Sequence, residues 1–312
     1  MREGMIELSI VTTLYRSAPY LDEFYRRIVA VADQVANNWE LVLVNDGSPD
    51  DALDLALALR EQDPRIVVVD LSRNFGHHPA LMTGLAHTTG ERVFMIDCDL
   101  EEAPEFLAEF DAAQRREGAD VVYGVQDRRK GEWFERLSGD LFFTLFNHLS
   151  SVPIPRNVIL ARLMLRPYVD ALLQHREREL FLAGLWILTG FRQLPVTVSK
   201  SSKGETSYTL GRKLALLTNS ITSFSNRPLV YIFYIGLFIS LVSSAYIANL
   251  IIRKTFFLIP VDGWTSLIVS IWFLGGLMIL FLGVIGIYLS RIFIEVKQRP
   301  LTIVRKVYGK SH

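Results

Sequence analysis

The sequence predicts an α/β domain with a mostly parallel sheet, followed by two transmembrane helices. Strand-like and helix-like runs alternate in roughly the first 125 residues, whereas residues 229–252 and 265–290 contain no charged side chain. At about 1.5 Å per residue, each apolar run can cross a hydrocarbon core of about 30 Å. Helices of soluble proteins normally keep a polar stripe, so two buried helices of a soluble core are the less favoured interpretation.

Five strand-like runs are rich in Val and Ile and lack strict alternation, as expected for strands that are covered on both faces. These runs are IELSIVTT, ELVLVN, RIVVVDL, RVFMID and ADVVYG. Apolar residues at helical spacing predict helices over residues 21–35 and near residues 51–61, 78–88 and 104–117. This order indicates a doubly covered, mostly parallel sheet, with ligands bound beyond the carboxyl ends of its strands.

Polar clusters follow three of these strands directly, namely NDGS at 45–48, SRNFGHH at 72–78 and DCDLEE at 97–102. Two like charges about 4 Å apart repel by about 4 kcal/mol at a protein surface, so the acidic cluster requires a cation, a basic face or water. Asp97 and Asp99 point the same way from an extended chain, and their oxygens suit Mg²⁺ or Mn²⁺. Alone, each motif is also explained by a turn or a helix start.

Two other residue types in these clusters carry weaker signals. The adjacent His77 and His78 rarely bind one ion together, so a place at a helix N-terminus is favoured over a metal site. Cys98 is the single cysteine, which excludes an intrachain disulfide, and its acidic neighbours favour a small spacer over a nucleophile.

We expect four segments along the chain. Residues 1–199 form the α/β domain, 200–228 a linker with a juxtamembrane amphipathic helix, 229–290 the two-helix transmembrane domain, and 291–312 a C-terminal tail. The apolar stripe and the neighbouring Lys and Arg residues of the second segment suit a helix on the membrane surface or an ordinary packed helix.

The charges predict the orientation and one class of partner. Lys and Arg total 33, as do Asp and Glu, so the balance gives no sign of a nucleic-acid partner. Lys and Arg precede the first span and follow the second, while Arg253 and Lys254 between the spans are a weaker opposite signal. No secretory signal is predicted before the first strand. We therefore expect a multi-pass protein of the inner membrane with its α/β domain and both termini in the cytoplasm.

Taken in order, the motifs resemble those of the inverting glycosyltransferases of family two, which have a GT-A fold. Within them the chain is similar to the polyisoprenyl-phosphate glycosyltransferases, which include dolichyl-phosphate mannose synthase and bacterial enzymes that load glucose or aminoarabinose on undecaprenyl phosphate. The resemblance covers nearly the whole chain. It rests on SIVTTLY, LVLVNDGS, VVVDLSRNFG, MIDCDLEE, KGETSY and GVIGIYLSRIFIEVKQRP.

The resemblance implies an enzyme that moves one sugar from a nucleotide-diphosphate sugar, most simply a UDP-sugar, to a polyisoprenyl phosphate with inversion. Its product would serve the synthesis or modification of a cell-envelope glycan. Mg²⁺ or Mn²⁺ is the implied cofactor, the bilayer is an implied partner, and a homo-oligomer is left open.

Site residues follow from the resemblance as well. The catalytic set is Asp97, Asp99 and Arg128, with Asp99 as ligand of the metal and Asp97 facing the nucleotide or the metal. The substrate-binding set is Thr13, Leu14, Tyr15, Asp46, Arg73, Arg129, Lys130, Arg162 and Lys203. In this scheme Asp46 contacts the nucleotide, and the basic flap at 128–130 meets the lipid phosphate or the leaving diphosphate.

Departures from the family pattern leave two alternatives open. Leu160 stands where bacterial relatives carry an acid, and Ser207 stands where the family has a basic residue, with Lys203 as its substitute. Arg16 and Ser17 replace the usual Asn-Glu after the first strand. One alternative is a polysaccharide synthase with a hydroxyl acceptor, although the sequence lacks a Gln-x-x-Arg-Trp motif. The other is a non-catalytic module on a transferase fold. The sugar, the base and the lipid length are not predicted.

Overall fold

A computed structural model describes residues 5–126, 157–178, 180–199, 227–257 and 263–309, which fall into two compact units. The first unit is an α/β domain that also contains the segment after residue 299, and the second contains the two apolar helices. The predicted linker and juxtamembrane helix lie outside the described residues as far as residue 226, as do five of the residues singled out in the sequence. These five residues are Arg128, Arg129, Lys130, Lys203 and Ser207.

Within the described residues, the first unit forms one eight-stranded sheet. Its strands are β1 (Leu8–Leu14), β2 (Trp39–Asn45), β3 (Ile66–Leu71), β4 (Arg92–Met95), β5 (Val121–Gln126), β6 (Val158–Leu165), β7 (Gln193–Val198) and β8 (Val304–Tyr308). They are arranged in the order β7-β5-β6-β4-β1-β2-β3-β8. Pairs among β1 to β4, and the pair of β5 with β7, are parallel, whereas β6 and β8 pair antiparallel with their neighbours. The sheet is therefore mostly parallel, as predicted.

Helices cover both faces of this sheet. They are α1 (Ala18–Val35), α2 (Ala52–Gln62), α3 (His77–Ala86), α4 (Phe106–Glu117), α5 (Arg166–Leu172) and α6 (Leu182–Leu188). The apolar stripe of α1 buries Leu21, Phe24 and Ile28 against one face, and every residue of β1, β2 and β3 is buried. Two covered faces explain why these strands are buried along their whole length rather than at alternate residues.

All five predicted strands and all four predicted helices are found, and three further strands join the sheet. Strand β6 lies between β4 and β5, so β5 does not pair with β4 as its place in the chain would suggest. Strand β7 then adds to the outer side of β5. The polar clusters after β2, β3 and β4 still share one edge of the sheet, because these strands and β1 are parallel neighbours.

The segment expected to be a tail, 291–312, is instead divided between two elements. Its first residues continue the last helix to Val296, and β8 then pairs antiparallel with the edge strand β3. Arg305 lies 3.4 Å from Asp70 through Nη1 and Oδ2, and its Nη2 donates to the carbonyl of Ser72 at 2.8 Å. An unpaired strand edge is a site of wrong pairing, and β8 covers it.

The second unit, in its described part, consists of α7 (Arg227–Phe257) and α8 (Trp264–Val296). Residues 227–246 and 270–296 of these helices are long and apolar enough to cross a membrane. Large apolar side chains such as Phe233 and Trp272 are exposed in the isolated chain, at 64% and 79%. Exposure of that kind along the described side chains of two helices is unfavourable in water and fits association with a bilayer.

Candidate active site

The carboxyl ends of β2 and β4 lie on either side of the end of β1. In the sheet register Val44 pairs with Thr13, and Met95 pairs with Val11. The loops that follow these strands therefore converge above the first strand. This juxtaposition brings together the clusters that the sequence singles out, and it is the usual ligand-binding edge of such a sheet.

Asp46 is buried at this edge, with 2% exposure, and its carboxylate accepts two backbone hydrogen bonds. The amide of Phe75 donates to Oδ1 at 2.7 Å, and the amide of Gly76 donates to Oδ2 at 3.0 Å. Burial raises the pKa of Asp46, and the two amide bonds oppose that rise. The side chain thus fixes the loop before α3, a role that is additional to the predicted nucleotide contact.

Gly47 allows that loop to cross closely over the NDGS turn. Its φ is +56°, and a Cβ at this position would lie 2.5 Å from both the carbonyl carbon of Arg73 and the amide nitrogen of Asn74. Only glycine satisfies both the left-handed backbone and the close approach. Asn45 supports the turn from below, because its amide nitrogen donates to Asp70 at 2.8 Å and its Oδ1 accepts from the amide of Ser48 at 3.1 Å.

The acidic cluster turns sharply at the end of β4. Cys98 is 3% exposed and contacts the carbonyl of Thr13 at 3.4 Å, and burial raises the pKa of its thiol to about 12, so it is a spacer as predicted. Asp97 and Asp99, the two neighbours of this buried residue, are partly exposed. Asp99 Oδ1 accepts from the amide of Glu101 at 2.9 Å, and Leu100 between them has a φ of +63°.

His77, the first residue of α3, joins two of these clusters. Its Nδ1 lies 3.1 Å from the hydroxyl oxygen of Thr13, and its Nε2 lies 3.4 Å from Oδ1 of Asp97. Burial lowers the pKa of His77, while Asp46 and Asp99 raise it. The place at a helix start is as predicted, but the contact with Asp97 is not indicated by any motif.

Glu102 belongs to the predicted DCDLEE cluster, but no sequence motif indicates its buried contacts. It is 1% exposed, and its two carboxylate oxygens accept from the backbone amides of Leu160 at 3.0 Å and Ala161 at 2.8 Å. A buried carboxylate in this position joins the acidic turn to the start of β6. The position of Leu160 relative to Asp97 and Asp99 therefore depends on Glu102.

Arg162, predicted to bind substrate, is fully enclosed in the domain with 1% exposure. Its guanidinium carbon lies 3.1 Å from the ring centroid of Trp186 and 5.8 Å from that of Tyr123, and its Nε donates to the carbonyl of Leu160 at 3.3 Å. Burial lowers the pKa of Arg162 to about 9. The side chain forms one wall of a cavity of about 290 Å³ between β5, β6 and α6.

The other described residues of the substrate-binding set lie around the same edge. Leu14 is fully buried, so only its backbone faces the loops, and its carbonyl accepts from the amide of Asp46 at 3.0 Å. Tyr15 is 45% exposed, and the guanidinium of Arg16 lies 5.7 Å from its ring centroid. The guanidinium of Arg73 stacks 4.1 Å from the ring centroid of Phe75.

Residues 9–173 match glycosyl transferase family 2. The chain belongs to this family. A Mycobacterium tuberculosis protein named as a glycosyltransferase is 51% identical over 306 residues, covering 98% of this chain and 90% of that protein. The prophage-derived bactoprenol glucosyl transferase of Shigella flexneri is 34% identical over 304 residues, covering 96% of this chain and 98% of that protein.

Similarity to solved structures is more distant. Glucosyl-3-phosphoglycerate synthase from M. tuberculosis, solved with UDP, superposes on 70% of this chain with a TM-score of 0.46 and 20% sequence identity. The membership in family 2, together with the observed mostly parallel sheet, confirms the predicted GT-A class. The predicted class of enzyme, a glycosyltransferase, is confirmed by the same membership.

Family 2 enzymes with the GT-A fold generally use a divalent metal. The acidic side chains after β4 of this protein fit such an ion. Asp97 and Asp99 supply the hard oxygen donors that Mg²⁺ and Mn²⁺ prefer. Among the described residues, no group of three or more His, Cys, Asp or Glu side chains could hold an ion by itself. The donor set therefore suits an ion that takes its remaining ligands from water and substrate phosphates, as Mg²⁺ usually does.

Proposed function

We propose that this family 2 glycosyltransferase moves one sugar from a nucleoside diphosphate sugar, a UDP-sugar, to a polyisoprenyl phosphate in the membrane, with inversion. The observation that carries the proposal is the match to a bactoprenol glucosyl transferase over 96% of this chain and 98% of that relative. A match of that extent includes both long apolar helices as well as the α/β domain. The product would serve a cell-envelope glycan.

The donor lies across the edge formed by β1, β2 and β4 in this scheme. Asp99, with Asp97, would hold Mg²⁺ or Mn²⁺, which when bound would supply Lewis-acid stabilisation to the leaving diphosphate. Thr13, Tyr15 and Asp46 lie on the side of the nucleotide. Asp46 acts there through the loop that its carboxylate fixes, because both of its oxygens already accept backbone amides.

The acceptor chemistry accounts for the apolar residue at position 160. Transfer to a neutral hydroxyl needs a general base, and positioned proton removal commonly contributes about 10²- to 10⁴-fold. A phosphate monoester is already an anion at neutral pH, since its second pKa is about 6 by analogy with phosphoserine. Its oxygen can attack the anomeric carbon directly while the diphosphate leaves. Leu160, which Glu102 holds beside the acidic turn, therefore need not be an acid.

Countercharge for the two phosphates comes from Arg73 and from residues outside the described part of the chain. Arg128, Arg129, Lys130 and Lys203 are assigned this role on the resemblance to the family. Arg162 is assigned a positioning part in substrate binding, because its enclosed guanidinium is stacked on Trp186.

The segments and their orientation are part of the proposal. Residues 1–199 form the cytoplasmic catalytic domain, 200–228 the linker and surface helix, and 229–290 the spans, with both termini in the cytoplasm. Strand β8 belongs to the catalytic domain even though it follows the spans in sequence. The lipid phosphate then reaches the catalytic edge from the bilayer, and the nucleotide sugar reaches it from the cytoplasm.

The direct test uses the full-length protein in vesicles with undecaprenyl phosphate, Mn²⁺ or Mg²⁺ and a panel of UDP- and GDP-sugars. The expected result is one glycolipid that carries a single sugar, identified by mass, together with release of nucleoside diphosphate. Undecaprenol without the phosphate is the matched control acceptor. Transfer to undecaprenol at an equal rate, or repeated addition of sugars, would contradict the proposal.

A further inference from the structure

His77 has no part in the proposed roles, but it lies between two residues that do, Thr13 and Asp97. On one side its Nδ1 is 3.1 Å from the Thr13 hydroxyl at the end of β1, and on the other its Nε2 is 3.4 Å from Asp97. The second distance is in the range of ion pairs but longer than the optimum for an N–H···O hydrogen bond. One ring therefore spans the gap between the end of β1 and the acidic turn.

The chemistry of the two partners fixes the direction of both contacts. An ionised carboxylate only accepts hydrogen bonds, so the ring nitrogen that faces Asp97 must carry the hydrogen. The other nitrogen of a neutral imidazole then accepts, and the Thr13 hydroxyl can donate to it. Both contacts are satisfied by one tautomer, with the hydrogen on Nε2.

The backbone around His77 is held as firmly as its ring. The two residues before it, Phe75 and Gly76, donate their amides to the buried carboxylate of Asp46. The carbonyl of Gly76 accepts from the amide of Ala80, within the first turn of α3. The ring is consequently presented to Asp97 from a fixed support rather than from a loop tip.

We propose that His77 is a positioning residue that holds the Asp97 carboxylate in the orientation needed to bind the metal and diphosphate of the donor. This inference rests on the proposed function. Residues that orient a metal ligand without touching the ion typically change metal affinity or activity by about 10- to 100-fold when they are replaced. His77 touches neither substrate nor metal in this scheme, so its effect is expected mainly in donor binding.

Two isosteric substitutions separate the two contacts of the ring. The side-chain amide of Asn places a polar atom near the position of Nδ1, and that of Gln places one near the position of Nε2. His77→Gln should retain the contact with Asp97 and lose that with Thr13, whereas His77→Asn should do the reverse. His77→Ala removes both.

The neighbouring His78 is a matched control. Its ring lies beside that of His77, with 5.8 Å between the centroids, but its Nδ1 contacts the carbonyl of Leu180 at 3.2 Å rather than Thr13 or Asp97. His78→Gln should therefore leave donor binding unchanged. Thermal unfolding of each variant, measured on the full chain, checks that it is folded.

The experiment is titration of each variant with UDP by calorimetry, with and without Mn²⁺ and in the absence of lipid, followed by the KM for the donor and kcat. We expect His77→Ala and His77→Asn to weaken Mn²⁺-dependent UDP binding by about tenfold or more and to raise KM more than they lower kcat. His77→Gln should stay within a few-fold of the wild type. Without Mn²⁺ the variants should differ little.

Two results would overturn the inference. One is rescue by Asn but not by Gln, which would assign the effect to Thr13, and the other is unchanged Mn²⁺-dependent UDP binding in His77→Ala. Both leave the proposed function intact. A wild-type protein that binds no UDP and no other nucleoside diphosphate would instead contradict the proposed function, and the inference with it.

Discussion

Charged side chains at the catalytic edge differ in what they hold. Asp46 and Glu102 are almost fully buried, and each carboxylate accepts two backbone amides from a segment distant in sequence. Asp97 and Asp99 are partly exposed at the turn between them. The two buried acids thus hold the loops of the edge in place, and the two partly exposed acids are the ones assigned to the donor.

The exposed pair gives the first prediction. Asp99→Asn removes an anionic metal ligand, so the transition state for transfer should lose several kcal/mol of stabilisation, the scale of metal assistance to a leaving diphosphate. The rate of transfer should therefore fall by roughly 10²-fold or more. Glycolipid formation measures the loss. Glu101→Gln is the control, because the hydrogen bond that Glu101 donates to Asp99 comes from its backbone amide, which the substitution keeps. Near-normal turnover of Asp99→Asn, or of the wild type in excess chelator, would contradict the metal role.

The buried pair gives the second prediction, which concerns stability. Glu102→Ala should leave the amides of Leu160 and Ala161 without their acceptor, at about 1–3 kcal/mol for each. The free energy of unfolding in denaturant is the measurement. Glu105→Ala is the matched control, because Glu105 pairs with Arg27 at the surface and such pairs contribute at most about 1 kcal/mol. Equal losses in the two variants would show that Glu102 does not anchor β6.

Position 160 gives the third prediction. Leu160→Asp restores an acid beside the acidic turn, yet kcat with a phosphate acceptor should not rise by orders of magnitude, because the acceptor needs no base. The same variant should not gain activity on undecaprenol. The measurement is kcat of the variant and of the wild type with each of the two acceptors. A rise of roughly 10²-fold or more with the phosphate would show that the wild type lacks a general base.

Sequence patterns predict the exposed part of this site better than its support. Asp97, Asp99 and the NDGS turn are recognisable because carboxylates and turn residues stand out at the ends of apolar strands. Glu102 and His77 also lie in the polar clusters, but their contacts are not predicted, because these are with residues 58 and 64 positions away in the chain. No local pattern encodes a pairing of that separation.

The strands that the sequence predicts differ in composition from those that it does not predict. The strands β1 to β5 are mainly apolar runs, whereas β6 contains the buried Arg162, β7 contains Pro195, and β8 contains the adjacent Arg305 and Lys306. Charge and proline are typical of strands at sheet edges and of strands beside polar sites. These segments become strands because they pair with a neighbouring strand, and their own composition does not predict it.

Strand β8 gives the fourth prediction. Val307 pairs with Val69 in the ladder, and Val307→Pro removes a donor and adds a ring that a paired strand does not accommodate. Amide exchange in β3 should then accelerate by about tenfold or more, which corresponds to about 1.4 kcal/mol of lost protection. Hydrogen–deuterium exchange of a peptide covering 66–71 is the measurement, and Val307→Ala is the control. Unchanged exchange would mean that β8 does not protect the edge.

The whole molecule gives the fifth prediction, which concerns orientation. Cysteine introduced at Asp262, in the segment between the predicted spans, should react with an impermeant thiol reagent added to intact cells. Cysteine introduced at the exposed Arg299 should react only after the cells are opened. The native Cys98 is buried and should give little background. The reverse labelling pattern would place the catalytic domain away from cytoplasmic nucleotide sugars.

The position of β8 in the chain also sets the order in which the protein can be completed during synthesis. Its partner β3 ends at Leu71, but Val304 follows both apolar helices, more than two hundred residues later. At about 5–20 residues per second the ribosome needs roughly 10 to 50 s to cover that distance. During this interval the edge of β3 lacks its partner strand while the apolar helices are being made. A chain released before residue 304 would keep that edge open to pairing with other chains.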